Sequence, residues 1–281
     1  MSFDRVLVAT DESAVGRNAV AIARSISRRL RSRLSILSVC SARSRGEVPA
    51  GGLVSTAVNG FSSPELAAFQ NWLGRDADEQ DAPEVAVAFG VTGIEVTRFV
   101  RLRESSLLVL GRRPRSPDRR LLLGETADAV VRRCETPVLF VPPDSSGFSR
   151  LLVALDGTER AIRVLATALE LARDLDASLE AITVEPALAD ETDGSLPRAR
   201  SLRLTEMLRR AASNNGSSSG VPLIVRRGNP IDEILAYAEA SRPDALIIGY
   251  RRGGPPEVMG PTDIARNLLY AAPTAVLTVP L

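Results

Sequence analysis

The sequence contains two ordered copies of one pattern, and this duplication constrains the fold more than any other feature. Shifting the numbering by 138 superimposes four positions without a gap: Gly90 on Gly228, Gly111 on Gly249, Val138 on Val276 and Pro142 on Pro280. A shift of 145 superimposes residues 6–11 (VLVATD) on 151–156 (LLVALD), and Val39 on Val184. An internal repeat is the signature of a duplicated structural unit. The chain is therefore predicted to hold two copies of one domain.

The stretch 107–141 shows what each copy is made of. Its four apolar residues at 107–110 end at Gly111, a basic loop follows, a helical pattern opens at 124–126 (GET), and Val138–Val141 is a second apolar run. Short apolar runs around an amphipathic helix predict a strand-helix-strand unit of a parallel sheet. The glycines fall at the carboxyl end of a strand and at the amino end of a helix, where such folds hold ligands.

The remaining elements are predicted in the same order in both halves. The first half has strands at 3–9, 34–40, 84–88, 107–110 and 138–141, with helices at 15–30, 64–77, 94–102 and from 124. The second half has strands at 150–155, 179–184, 222–225, 245–249 and 276–280, with helices at 158–173, 196–212, 230–240 and from about 262. The stretch 42–62 is interpreted as a mobile loop and 214–220 as a flexible linker. Each half is thus an α/β domain with a five-stranded, doubly wound parallel sheet. A short linker of prolines and small polar residues divides the chain into domains 1–146 and 147–281.

Composition excludes several kinds of chemistry. All 35 basic residues are arginine and there is no histidine. The chain therefore has no histidine base or metal ligand, no Schiff-base lysine and no Walker lysine. A net charge of +1 gives no bulk attraction to nucleic acid or an acidic membrane. No apolar run approaches the length of a membrane span, and the first strand begins without a signal peptide. We therefore expect a cytoplasmic protein with neither a nucleic-acid partner nor membrane insertion.

The two cysteines, Cys40 and Cys134, do not indicate a metal site or a disulfide framework. Both lie at apolar positions of their patterns. We expect them to be buried, reduced thiols, and we predict no metal site.

These features resemble the universal stress protein family, as two tandem domains covering nearly the whole chain. The resemblance rests on residues at the strand ends: Asp11 and Asp156, 89–90 (FG) and 227–228 (RG), and Gly111 and Gly249. It implies a Rossmann-like fold of the adenine nucleotide alpha hydrolase type, with the two domains paired through their fifth strands as a pseudo-dimer. A homodimer of the whole chain is compatible with it. It also implies a non-enzymatic, regulatory role in the stress response, exercised through small-ligand or protein binding.

Nucleotide-binding members of the family carry Gly, two residues, Gly, nine residues, Gly, then Ser or Thr. This chain keeps the spacing but changes the residues, to Gly111, Pro114, Gly124 and Glu125 in the first half, and to Gly249, Arg252, Thr262 and Asp263 in the second. A carboxylate at the helix amino end satisfies the helix dipole and repels phosphate. Arginines in the loop 112–120 could take over phosphate binding from the missing glycines, since guanidinium groups bind phosphate. ATP or AMP binding in domain 1, which keeps two of the three glycines, is therefore an alternative hypothesis.

The residues predicted to contact a ligand are Asp11, Val39, Gly111, Gly124 and Thr126 in domain 1, and Asp156, Val184 and Gly249 in domain 2. Each also has a structural explanation, because aspartates form turns and caps, valines fill cores and glycines turn strands sharply. A weak nucleotide hydrolase is a further alternative, which would need Mg²⁺ held by carboxylates such as that of Asp11. A partner module for a membrane transporter is another. We predict no catalytic residue and no obligatory cofactor.

Overall fold

A computed structural model describes residues 3–40, 53–55, 64–74, 82–113, 125–185, 195–214, 220–251 and 263–281. The chain divides into two compact units, Ser2–Ser146 and Gly147–Leu281, which we call domain 1 and domain 2.

Domain 1 alternates strands and helices around one sheet. Its elements are β1 (Arg5–Thr10), α1 (Ala14–Leu30), β2 (Arg33–Cys40), β3 (Leu53–Ser55), α2 (Pro64–Leu73), β4 (Glu84–Phe89), α3 (Thr92–Leu102), β5 (Leu107–Gly111), α4 (Glu125–Arg133) and β6 (Val138–Val141). The strand order is β3-β4-β2-β1-β5-β6, and every pair is parallel except β3 with β4. The central strands β1 and β5 are buried at successive positions, so both of their faces are covered. This explains their unbroken apolar runs.

Domain 2 repeats the plan with five parallel strands. Its elements are β7 (Arg150–Ala154), α5 (Ala161–Asp174), β8 (Ser178–Glu185), α6 (Ser195–Asn214), β9 (Leu223–Arg227), α7 (Pro230–Ser241), β10 (Ala245–Tyr250), α8 (Ile264–Ala271) and β11 (Ala275–Pro280). The strand order is β11-β10-β7-β8-β9. The backbone repeats in detail, since left-handed residues recur at matching positions, Arg31 with Asp176 and Glu104 with Arg242. The predicted pair of doubly wound α/β domains is confirmed.

The interpretation of 42–62 as a mobile loop is wrong for the part that the structure describes. Leu53–Ser55 is a strand that pairs antiparallel with β4, in register from Leu53 with Ala88 to Ser55 with Ala86. It satisfies backbone groups that an uncovered edge would leave to solvent. Three residues are too few to show a periodic pattern, which is why the sequence does not reveal it. The rest of this stretch and residues 215–219 lie outside the described residues, while Asn214 ends α6.

The thiols differ in burial. Neither forms a disulfide; Cys134 is buried as predicted, but Cys40 is only half-buried, because it is the last residue of β2. No group of three or more metal-binding side chains occurs among the described residues. None of the helices in the described part of the chain is both long and apolar enough to cross a membrane.

Asp244 holds the amino end of β7. Its Oδ2 accepts hydrogen bonds from the backbone N–H groups of Ser149 (2.7 Å) and Arg150 (2.8 Å). In domain 1 the matching residue, Ser106, accepts one from the backbone N–H of Arg5 at 3.0 Å. We expect Asp244→Ala to lower the free energy of unfolding of domain 2 by about 1.5 kcal/mol, because two N–H groups lose their acceptor. Denaturant unfolding followed by circular dichroism measures it. Asp244→Ser is the control, and an equal loss in both variants would contradict the assignment.

Candidate functional site

The candidate site lies between the carboxyl ends of two neighbouring strands whose following strands lie on opposite sides of them in the sheet. In domain 1, β1 lies between β2 and β5. The chain leaves β1 towards β2 and leaves β5 towards β6. At such a switch point the carboxyl ends of the strands leave a crevice, and helix amino ends face it. In domain 2, β7 and β10 take the same places.

The strand register brings the predicted residues to one edge of each sheet. Thr10 pairs with Ser38 and Ala9 with Leu110, so Asp11 and Val39 follow the first pair, and Gly111 follows the second. Matching pairs of β7 with β8 and β10 place Asp156, Val184 and Gly249 alike. Val39 is half-buried, whereas Val184 is 7% exposed. Thr126 is half-buried in the first turn of α4, and Gly124 lies outside the described residues, as do 114–123 and 252–262.

Asp11 closes the turn that follows β1. Its Oδ1 accepts hydrogen bonds from the backbone N–H (3.2 Å) and the hydroxyl (2.5 Å) of Ser13. The Ser13 hydroxyl in turn caps α1 by accepting from the backbone N–H of Gly16 at 3.1 Å. In domain 2, Asp156 accepts from the backbone N–H (3.0 Å) and the hydroxyl (2.8 Å) of Thr158. Both aspartates therefore have a structural role at their turns.

The second oxygen of Asp11 faces β5. The Nη2 atom of Arg113 lies 3.4 Å from Asp11 Oδ2, so an ion pair joins the ends of β1 and β5 across the crevice. Burial raises the pKa of Asp11, but the hydrogen bonds from Ser13 and the charge of Arg113 outweigh it and leave the pKa below its usual value. The side chains of Arg113 and Asp11 are 82% and 59% exposed, so the pair contributes under about 1 kcal/mol. Arg113 can therefore turn to another anion at little cost.

Helix packing requires Gly111 and Gly249. A β-carbon at position 111 would lie 2.9 Å from Cγ1 and 3.1 Å from the carbonyl oxygen of Val15 in α1. A β-carbon at position 249 would lie 3.0 Å from Cγ2 of Val164 in α5 and 2.9 Å from Cδ1 of Leu281. The first helix of each domain can thus approach the sheet only over glycine. The two residues need no ligand to explain them.

Sequence reasoning misses Glu12. Its φ of 62° is left-handed, and the matching residue in domain 2, Gly157, has a φ of 72°. A residue with a β-carbon costs about 1 kcal/mol in that conformation. The Glu12 carboxylate accepts a hydrogen bond from the Ser38 hydroxyl at 3.2 Å, so it turns back over the strand ends. Comparison of the two copies could have revealed this conformation, because the glutamate in one copy matches a glycine in the other.

In domain 2, carboxylates lie at the amino end of α8 and at the carboxyl end of β8. Asp263 is the N-cap of α8 and accepts from the backbone N–H of Arg266 at 3.1 Å, so this helix end is satisfied from within the chain. Glu185, at the end of β8, is 3% exposed and lies 3.7 Å from Nε of Arg227. The Glu185 carboxylate is thus already balanced by Arg227, whereas an incoming phosphate would meet the negative charge of Asp263 at the helix end. Domain 2 is therefore the less suitable of the two for phosphate.

The comparisons with known proteins agree with this fold. The universal stress protein family model matches residues 2–142 and again 147–280. A search of curated proteins found no match. A universal stress protein from Archaeoglobus fulgidus DSM 4304 is 17% identical, with a TM-score of 0.73 over 100% of this chain and 99% of its own. A functionally unknown protein from Pseudomonas aeruginosa PAO1 is 15% identical, with a TM-score of 0.66 over 99% of this chain and 93% of its own.

A universal stress protein from Archaeoglobus fulgidus, solved in complex with dAMP, matches 47% of this chain and 98% of its own, at 23% identity and a TM-score of 0.33. The two matches over the full length show the fold alone, and no conclusion is drawn from the match at a TM-score of 0.33. The family model, in contrast, matches both halves of the sequence. The chain therefore belongs to the universal stress protein family, with two tandem domains.

Proposed function

We propose that this protein is a cytoplasmic, non-enzymatic regulator of the stress response, and that its domain 2 no longer binds nucleotide. The observation that carries the proposal is the Asp263 cap of α8, which occupies the helix end that would otherwise attract phosphate. The sequence contains no histidine and no lysine, so it lacks the histidine bases and the phosphate-binding lysines that many nucleotide-hydrolysing enzymes use.

Domain 1 is the half that supports a secondary proposal, the binding of one adenine nucleotide. Arg113 lies over its crevice in a weak, exposed ion pair with Asp11, and a phosphate can replace that partner. Asp11 is ionised, so it would suit a hydroxyl or amino donor of the ligand better than a phosphate. The candidate contacts are then Asp11, Val39, Gly111, Gly124 and Thr126, with Arg113 as the phosphate ligand.

Calorimetry on the whole chain tests both proposals, with ATP, ADP, AMP and cyclic AMP, each with and without Mg²⁺. We expect at most one nucleotide per chain, and Arg113→Ala to weaken its binding about tenfold, the effect of losing one charge-assisted contact. Arg163→Ala, at an exposed position of α5, is the control and should bind as the wild type does.

Each other outcome would remove one of the proposals. Two nucleotides per chain would contradict the loss of binding in domain 2. No binding at millimolar nucleotide would exclude a sensor and direct the search to protein partners. Turnover of ATP that stops when Mg²⁺ is removed would show a hydrolase. Pairing of the domains through their fifth strands and assembly into a homodimer stay predictions from the family resemblance.

A further inference from the structure

A second candidate site lies at the other end of the domain 1 strands, away from the nucleotide crevice at their carboxyl ends. A cavity of about 930 Å³ opens at the amino ends of β1, β2 and β4, next to the carboxyl ends of α1 and α3. Six arginines line it: Arg5, Arg24, Arg28, Arg31, Arg33 and Arg103. Glu84 is the one carboxylate among the described residues that line it. The cavity is therefore strongly positive.

Ion pairs account for only some of this charge. Arg103 pairs with Glu84, and Arg5 pairs with Glu104 at 2.5 Å. Within the part of the chain that the structure describes, no carboxylate pairs with Arg28, Arg31 or Arg33. Burial, followed by the charge of Arg28, lowers the pKa of the half-buried Arg24. Arg28, Arg31 and Arg33 thus lie close to other cations without a carboxylate partner among the described residues.

Domain 2 shows that the fold does not need these arginines. Arg5 and Arg28 are matched there by Arg150 and Arg173. The other four are replaced: Arg24 by Leu169, Arg31 by Asp176, Arg33 by Ser178 and Arg103 by Ser241. Basic residues do stabilise the carboxyl end of a helix, but α5 has only Arg173 in its last turn. Four of the six arginines are therefore particular to domain 1 and have no explanation in the shared architecture.

We propose that this cavity binds a small oligophosphate, an anion with two or more linked phosphoryl groups. Guanidinium groups stay charged and bind phosphate oxygens in pairs, and several of them converge on one space here. The described lining residues include no aromatic side chain, and so provide none of the stacking surface that single-stranded nucleic acid uses. The site is distinct from the nucleotide crevice, and the proposal does not rest on the function proposed above.

The sequence also offers another source of negative charge. Just before Ala82, which lines the cavity, the chain contains Asp76, Asp78, Glu79 and Asp81. These four lie outside the described residues. If these carboxylates neutralise the arginines of the cavity, the protein will not bind an oligophosphate.

The test is a calorimetric titration of the whole protein with inorganic tripolyphosphate at about 50 mM salt, where screening is modest. The double variant R31D/R33S carries the residues of domain 2 at two exposed positions. The control R163D/R203S removes the same charge from exposed positions of α5 and α6. We expect R31D/R33S to weaken binding at least about tenfold and the control to change it less than about twofold. Arg113→Ala, in the other crevice, should leave tripolyphosphate binding unchanged.

Several results would overturn the proposal. They are the absence of binding by the wild type, an equal loss in R31D/R33S and R163D/R203S, and a loss in Arg113→Ala alone. Tighter binding of a single-stranded oligonucleotide than of tripolyphosphate, lost in R31D/R33S, would assign the surface to nucleic acid instead.

Discussion

Gly111→Val is expected to lower the free energy of unfolding of domain 1 by about 3 kcal/mol, the upper part of the range for overpacked cores. The new β-carbon would lie 2.9 Å from Val15 Cγ1 and 3.1 Å from the Val15 carbonyl oxygen. Carbon atoms in contact are normally about 3.5–4.0 Å apart. A side chain can rotate away, but the carbonyl oxygen belongs to the backbone of α1. The helix must therefore move off the sheet.

Trp72 makes this measurable for domain 1 alone. It is the single tryptophan of the chain and lies in α2, so its fluorescence during urea unfolding reports on that domain. The control is Gly147→Val, because nothing lies within 4 Å of a β-carbon built at position 147. That variant should change stability by no more than about 0.5 kcal/mol. Equal effects of the two substitutions would show that Gly111 is not a packing requirement.

The Gly111→Val variant is a poor test of nucleotide binding in the crevice. If Gly111→Val loses nucleotide binding, the loss follows from displacement of α1 as readily as from a blocked ligand. Arg113 is a better position to change, since its side chain is 82% exposed. The choice separates a folding defect from a binding defect.

Phe99→Ala is expected to lower the free energy of unfolding of domain 1 by about 4 kcal/mol, because it leaves a large cavity in the core. Phe99 lies in α3 and is fully buried, at 0% exposure. Phe99→Leu keeps most of the apolar volume and should cost no more than about 1.5 kcal/mol. Trp72 fluorescence in urea again measures both. A loss in the leucine variant as large as in the alanine variant would show that ring shape, rather than filled volume, matters at this position.

The aromatic ring of Phe99 has a second role. The guanidinium carbon of Arg103 lies 5.1 Å from the ring centroid, within the range of a cation–π contact. The ring thus helps to hold one arginine of the oligophosphate cavity. Phe99→Leu removes that contact while leaving the fold largely intact, so it separates the two roles of the residue.

The sequence predicts most of the fold because the signals that form it are local. Asn229 and Pro230 are expected to cap and open a helix, and the Asn229 side chain does accept from the backbone N–H of Ile231 at 2.9 Å. The central strands are apolar throughout because they are buried on both faces. In contrast, β3 has three residues, and only its pairing with β4 makes it a strand.

The candidate site is less predictable because the same residue type serves different purposes. In the sequence, a glycine at the end of a strand looks the same whether a phosphate or a helix approaches it. Only the short distance from a β-carbon built at position 111 to Val15 favours the helix. Glu12 stands out only when it is compared with Gly157. The arginines of the oligophosphate cavity lie far apart in the sequence, and the order of the strands brings them together.

An edge strand is protected differently in each domain, and this bears on self-association. In domain 1, β3 covers β4; in domain 2, among the described residues, β9 is paired only with β8. The last two residues of β9, Arg226 and Arg227, are exposed, and charge on an edge strand hinders the addition of a further strand. The edge of domain 1 is thus protected by a very short strand, and that of domain 2 by charge repulsion. Salt screens repulsion but does not remove a strand, so intermolecular sheet formation in concentrated salt would begin at β9.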